Sequence, residues 1–406
     1  MAQQPIPFKY FGPYVAPPFG PDYEADYLVP HPDLMVNGTR FKTKDLGLSP
    51  FTQSLHYGTT VISGMGCWKG ADGKYRIFRL RDHVERFVNN LDRMLMLLLP
   101  GEMTLPAELL NELRAERKAQ LTGEIMQGVQ ELAGNNLKYL VKSDHLYIRL
   151  FAVEAAQSLG VGTCGRLQWW VITRDLTPYL PAGKRVDLLV PGSVFRRPNP
   201  MSGTSDVKVG ANYALPFAWK ARMIHRFGCD EVLATTDDGE YMAESSGSIG
   251  IVKYEAGHVG TPPPNSWGLP GISKITCVDE LLKAMGVDTV QDESIPMSSI
   301  CSGKHNLALM GTWTLVADVG RLCVHTGPPP DESVFTQGNG AGFADWLINN
   351  FRPEWVELPP APELLINLAR LYRAALEQDY GVVNALIADG HLLSGYSFPD
   401  KWYTTV

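Results

Sequence analysis

The sequence predicts a two-domain α/β (α+β) fold, with a smaller N-terminal α/β domain and a larger C-terminal domain. Three observations lead there. The chain has 406 residues, too many for one small core. Short apolar runs with turn signals alternate with longer segments of helical spacing. A Pro/Gly-rich stretch at residues 176–184, containing Pro178, Pro181 and Gly183, suits a connector. On this reading residues 1–32 form an N-terminal arm, 33–175 the small domain, 176–184 the interdomain loop, 185–345 the large domain and 346–406 a C-terminal extension.

The elements follow in order. Between residues 33 and 80 the apolar runs are short and broken by glycines, and Ala71-Asp72-Gly73-Lys74 is a turn signal, so antiparallel strands are expected. Residues 82–98 carry apolar side chains at helical spacing, and Thr104 with Pro106 opens a second helix that ends near Gly134. The apolar runs 146–153 and 167–172 predict the strands that close the first unit. Residues 211–227 read as a helix stopped by Gly228, then a strand, a turn at Asp237-Asp238-Gly239 and a returning strand into Glu244. A further helix starts at Ile272, directly after Leu269-Pro270-Gly271, and runs to about Met285. Leu365, Leu368, Leu371, Tyr372 and Ala375 define one apolar face of a helix over residues 362–379.

Composition excludes several classes. Hydrophobic content of 45% with 19% charged residues describes a globular chain, and a net charge of -7 without a basic stripe argues against nucleic acid as a partner. No apolar run is long enough to span a membrane, and residues 1–20 lack the basic start and apolar run of a signal peptide. Cys67, Cys164, Cys229, Cys277, Cys301 and Cys323 are scattered, without a CxxC pair or a histidine at metal-ligand spacing. No metal is expected, and free thiols in a reducing cytoplasm are.

The segment Asp206-Val207-Lys208-Val209-Gly210-Ala211-Asn212-Tyr213 places a lysine before a helix and a tyrosine five residues later. A lone lysine is ordinarily a solvated charge. A lysine that forms a Schiff base needs partial burial, an electron-sink cofactor and an acid near that cofactor's pyridine nitrogen, so its surroundings decide. Those surroundings are specific. His56-Tyr57-Gly58, Phe78-Arg79 with Arg86-Phe87, Tyr147-Ile148-Arg149, the lysine segment, Glu244, Leu269-Pro270-Gly271-Ile272-Ser273 and Gly311-Thr312 stand in the order found in branched-chain aminotransferases, at fitting separations. Across residues 37–324 the chain resembles that family, which belongs to the class IV aminotransferases of pyridoxal-phosphate (PLP) fold type IV.

The resemblance implies pyridoxal 5'-phosphate as cofactor and assigns roles. Lys208 holds it as a Schiff base and shuttles a proton between the substrate α-carbon and the cofactor C4' position. Glu244 faces the pyridine nitrogen and Tyr213 the 3'-oxygen, while Gly247 joins the cofactor-binding set. Arg86, the amides of Ile272 and Ser273, and the hydroxyls of Ser273 and Thr312 hold the phosphate. Tyr57, Ile62, Tyr147 and Arg149 of the small domain, Tyr179 of the interdomain loop, and Trp313 face the substrate. The implied reaction is a ping-pong amino transfer from an amino acid to 2-oxoglutarate, on small-molecule amino and 2-oxo acids, in a homodimer whose sites receive residues from the neighbouring subunit. D-amino-acid or amine transaminases, aminodeoxychorismate lyase, an isomerase or lyase of secondary metabolism, and a non-catalytic PLP-binding protein remain open on the same scaffold.

The chain departs from the family pattern at four places. Ile62-Ser63-Gly64 replaces the usual Phe-Glu-Gly, which changes a pocket wall. Ser273 stands where threonine is usual, and Glu244-Ser245-Ser246-Gly247-Ser248-Ile249-Gly250 lacks the common asparagine. Trp313 occupies the place of a small alanine whose backbone amide normally meets the substrate carboxylate. These changes bear on the donor, and valine, leucine and isoleucine are expected to rank below a bulkier or more polar amino acid.

Overall fold

A computed structural model describes residues 32–42, 52–155, 166–175, 183–192, 203–219, 225–236, 238–245, 250–255, 258–263, 268–287, 290–292, 294–328, 346 and 349–406. Period-two alternation builds its first sheet. In the strand Leu146–Glu154, Leu146, Ile148, Leu150 and Ala152 are buried in one cluster, leaving Tyr147, Arg149 and Phe151 on the opposite face. Its neighbours Val61–Lys69 and Leu167–Asp175 pair with it antiparallel, with Gly64 opposite Arg149, Gly66 opposite Tyr147, and Tyr147 opposite Arg174. Tyr75–Phe78, Asp33–Val36, Thr39–Lys42 and Tyr403–Thr405 complete a seven-stranded sheet, antiparallel throughout. The predicted hairpin at residues 71–74 is present, with Gly73 at φ 78° and the Gly73 amide donating to the Gly70 carbonyl.

Two helices cover the apolar face. Val84, Phe87, Val88 and Leu91 of Leu80–Arg93, and Ile125, Val129 and Leu132 of Ala107–Asn136, pack against Val61, Met65, Ile148 and Val171. The first helix begins two residues earlier and ends five residues earlier than its apolar spacing suggests. Leu95 adopts a left-handed conformation (φ 58°), while Leu97 and Leu98 are buried beyond the helix end and prolong the pattern.

The second sheet is mixed and nine-stranded. Its path runs through Val290–Asp292, His258–Thr261, Gly250–Glu255, Asn306–Gly311, Leu315–His325, Val186–Val190, Glu231–Thr235 and Met242–Ser245, and Pro353–Glu357 adds to Leu315–His325. Val186–Val190 is parallel to both neighbours, and Val186, Leu188, Leu189 and Val190 are fully buried, as a strand in the interior of a sheet requires. Glu231–Thr235 and Met242–Ser245 pair antiparallel across the predicted turn, where Gly239 has φ 82°; Asp237 lies outside the described residues.

Two helices differ from expectation. The single helix expected over residues 211–227 is a 3-10 turn at Gly210–Tyr213, a helix at Ala214–Trp219 and a further turn at His225–Phe227 before Gly228 (φ 68°), with residues 220–224 outside the described set. The helix from Ile272 widens into π turns over Ile275–Leu281 and closes at Leu282–Ala284.

Residues 349–406, most of the stretch set apart above as an extension, are woven into both sheets. Pro353–Glu357 and Tyr403–Thr405 each add a strand, and the helix Glu363–Glu377 lies between them. Leu365, Leu368, Leu371, Tyr372 and Ala375 are all buried, in one cluster with Trp68, Phe78, Val278 and Leu281. Among the described residues no helix is long and apolar enough to cross a membrane. The five described cysteines are free thiols, and Cys164 lies outside the described residues.

Candidate active site

The polar face of the first sheet meets the end of the second across a cavity of about 420 Å³. Its position follows from a clip between chain segments. Val209 bridges Val61, the Ile62 amide donates to the Lys208 carbonyl at 2.9 Å, and the Gly210 and Ala211 amides donate to the Thr60 and Gly58 carbonyls at 2.7 and 2.8 Å. Lys208 is thereby held against the start of strand Val61–Lys69. The approach favours glycine: a Cβ on Gly210 would sit a tight 3.2 Å from the Gly58 carbonyl oxygen, and Gly58 itself has φ 66°.

Within the cavity, Lys208 Nζ donates to Tyr213 Oη at 2.6 Å. Asn212 is buried behind them, and its amide donates to the carbonyls of Thr204 and Val207, at 2.5 and 2.8 Å, holding the turn that leads into Lys208. Glu244, on the edge strand Met242–Ser245, is buried and accepts the Leu269 amide at 3.1 Å.

The helix Leu80–Arg93 contributes a buried cation, Arg86. Among the described residues no carboxylate pairs with Arg86. Its Nη atoms reach only the Pro270 carbonyl and Ser63 Oγ, both at 3.3 Å, and its buried Nε has no partner. Burial pushes the guanidinium down to about 10, still cationic at neutral pH. Around the same cavity stand Ile272 and Ser273, which open a helix, and Thr312. An enclosed cation, two hydroxyls and helix-start amides are the groups that could bind an anion at this end.

Next to Thr312 in the chain, Trp313 meets two side chains of the first sheet. It stacks on Tyr147 with centroids 4.8 Å apart and planes at 6°, and the Arg174 guanidinium lies 4.5 Å from the Trp313 ring centroid. Arg149 Nε donates to Tyr147 Oη at 2.9 Å. Tyr147 lies across the neighbouring strand only because Gly64 has no side chain.

Of the residues singled out in the sequence, Ile62, Arg86, Tyr147, Arg149, Lys208, Tyr213, Glu244, Ile272, Ser273, Thr312 and Trp313 line the cavity. Tyr57 does not; it is 38% exposed at the end of the short helix Gln53–Tyr57. Tyr179 and Gly247 lie outside the described residues. Ser63 is no pocket wall: the pleat turns it to the opposite face, buried beneath Arg86. The sequence reading missed His83 and Arg174. His83 lines the cavity three residues before Arg86 on one helix face, a spacing that could have revealed it, whereas Arg174 comes beside Tyr147 by strand pairing and from there meets the Trp313 ring.

The class IV aminotransferase family model matches residues 68–322, more than half of the chain. The chain belongs to the class IV aminotransferases. This transaminase is 26% identical to branched-chain-amino-acid transaminase 1 of Bacillus subtilis (strain 168) over 324 residues, 78% of this chain and 82% of that protein. It is 25% identical to the cytosolic branched-chain-amino-acid aminotransferase of Caenorhabditis elegans over 317 residues, 75% of this chain and 69% of that one. Its fold is shared with the branched-chain aminotransferase of Thermoproteus uzoniensis solved with norvaline (TM-score 0.63, 17% identity, 92% and 98% of the two chains). It is shared also with a T.th. branched-chain amino acid aminotransferase solved with pyridoxamine 5'-phosphate (TM-score 0.62, 21% identity, 85% and 94%). The transaminase is thus a branched-chain-aminotransferase-like, PLP-dependent enzyme. Arg86, which pairs with no carboxylate among the described residues and shares the cavity with Ser273 and Thr312, fits the cofactor's phosphate, and Lys208 fits its aldehyde end.

Proposed function

We propose that the enzyme moves an amino group from an L-amino acid to 2-oxoglutarate in a ping-pong cycle, with donor choice displaced from valine, leucine and isoleucine. The observation that carries the reading is the convergence in one cavity of Lys208, Glu244 and a buried arginine that has no counter-ion among the described residues. Lys208 would hold PLP, with Tyr213 setting the orientation of its amine. Arg86, Ser273, Thr312 and the amides of Ile272 and Ser273 would hold the phosphate, and Glu244 would keep the pyridine nitrogen protonated. Bound PLP supplies the electron sink for the pair released when the α-proton leaves. The Lys208 amine, held beside Tyr213 Oη, would be the group that takes up and returns that proton.

The donor preference rests on Trp313. Trp313 lines the cavity and its ring meets both Tyr147 and Arg174, which supports a role for it, together with Ile62, in shaping the space for the donor side chain. Arg149, hydrogen-bonded to Tyr147 at the same wall, offers a cation for the distal carboxylate of 2-oxoglutarate. We read the active form as a homodimer in a reducing cytoplasm. The exposed Tyr57 supports the first part, since it can serve a neighbouring subunit's site, and the free thiols support the second.

Donors added singly to PLP-loaded enzyme without acceptor test this reading by absorbance. Conversion to the pyridoxamine form, reversed by 2-oxoglutarate, is expected, with an aromatic or polar donor faster than leucine. No conversion by any donor refutes transamination, and product release without an acceptor assigns an isomerase or lyase instead. Leucine or isoleucine ranking first, with no change in Trp313→Ala, refutes the altered preference.

A further inference from the structure

The hydroxyl of Ser273 has a partner from far along the chain. Tyr372 Oη donates to Ser273 Oγ at 3.0 Å from the helix Glu363–Glu377, and Ser273 is its only hydrogen-bond partner among the described residues. Tyr372 is 2% exposed and its ring meets Phe78 edge-on, with centroids 6.3 Å apart and planes at 86°. The helix that carries it packs by Leu365, Leu368 and Leu371, so the phenol is aimed by the core and not by a mobile loop. The family match ends at residue 322, fifty residues short of this tyrosine.

A serine hydroxyl carries one hydrogen and two acceptor lone pairs. With Tyr372 occupying an acceptor position, the hydrogen of Ser273 is left for another group. Among the described residues Ser273 donates to none, and its side chain lines the anion-binding end of the cavity beside Arg86 and Thr312. Burial raises the phenol far above its ordinary range, so it is a neutral donor at neutral pH.

We infer that Tyr372 is a positioning residue that turns the Ser273 hydroxyl into a dedicated donor to the cofactor phosphate. This rests on the phosphate reading of the site given above. The phenol is farther from the cavity than Ser273 and acts through it, polarising the serine hydroxyl and fixing its rotor before the anion arrives. Serine in place of threonine makes such a device useful, because a serine side chain lacks the β-branch that restricts χ1.

The test is a double-mutant cycle on Tyr372→Phe and Ser273→Ala, read as PLP affinity by equilibrium titration of the apoenzyme, with 31P NMR of the bound phosphate beside it. Tyr372→Phe is expected to weaken PLP binding roughly two- to tenfold and to shift the phosphorus resonance. In the Ser273→Ala background the same change should do neither, and Ser273→Thr should keep the coupling. If Ser273→Ala leaves PLP affinity unchanged, the phosphate reading of Ser273 itself fails. If Ser273→Ala weakens binding but Tyr372→Phe has no effect, or an equal effect in both backgrounds, the site stands and the inference about Tyr372 is overturned.

Discussion

Alanine at Gly64 probes the wall that Tyr147 builds. A Cβ there would lie 2.3 Å from Tyr147 Oη, 3.0 Å from Cζ and 3.2 Å from Cε2, where ordinary contact begins at 3.4 Å. The phenol must retreat by about 1 Å, and it cannot do so alone, because Trp313 stacks on the ring and Arg149 holds its oxygen. A displacement of about that size in a pocket group costs on the order of 10²-fold in rate, and overpacking typically costs about 1–3 kcal/mol of stability. We therefore expect kcat/KM for the best donor to fall about 10²-fold in Gly64→Ala, with the enzyme still taking up PLP, since the new methyl faces Tyr147 and not Arg86 or Ser273. Tyr147→Phe removes the atom in closest conflict, so Gly64→Ala should cost much less in that background. Steady-state kinetics of the two single variants and the double variant measure this. Wild-type kcat/KM in Gly64→Ala would refute the reasoning, as would an equal penalty in both backgrounds.

Three further outcomes are expected. Arg86→Ala should lower PLP affinity roughly 10- to 100-fold while leaving donor ranking unchanged, and the apoenzyme should melt no lower, because a buried cation with no counter-ion among the described residues has been removed; unchanged affinity would contradict the phosphate role. His83 is buried beside Arg86, and burial, with the charges of Arg86, Arg79 and Lys208, holds its imidazole well below the ordinary 6.5. The unfolded chain takes up this proton below pH 6.5 and the folded one does not, so the contribution is complete above 6.5 and is lost as pH falls. His83→Gln should accordingly flatten the decline of Tm as pH falls below 6.5, and an unchanged slope counts against it. Leu368→Ala, at a fully buried position of the C-terminal helix, should cost about 2–5 kcal/mol in denaturant unfolding, whereas a loss below about 1 kcal/mol would show that this helix is not part of the core.

What was legible in the sequence follows from the range of each signal. Local patterns carried well: the buried face of the helix Glu363–Glu377, the turn at Gly73 and the hairpin into Glu244 all appear where spacing and turn chemistry put them. The site residues were legible because their motifs occur in one order, and eleven of them converge on one cavity. Pleat direction was harder. Ile62 and Ser63 are neighbours in sequence yet lie on opposite faces of a strand, so Ser63 was wrongly given to the pocket. Contacts between distant segments left no local mark. Arg174 reaches Trp313 across 139 residues, and Tyr372 reaches Ser273 across 99. The left-handed Leu95 also escaped notice, since nothing in its residue type favours that conformation.

The most direct test of the account is the identity of the lysine that carries the cofactor. Borohydride reduction of the PLP-loaded enzyme, followed by proteolysis and mass spectrometry, should place the pyridoxyl group on the peptide containing Lys208, the lysine whose amine meets Tyr213 at 2.6 Å inside the cavity. Lys208→Ala should take no label. A pyridoxyl group found on another lysine, or full labelling of Lys208→Ala, would contradict it.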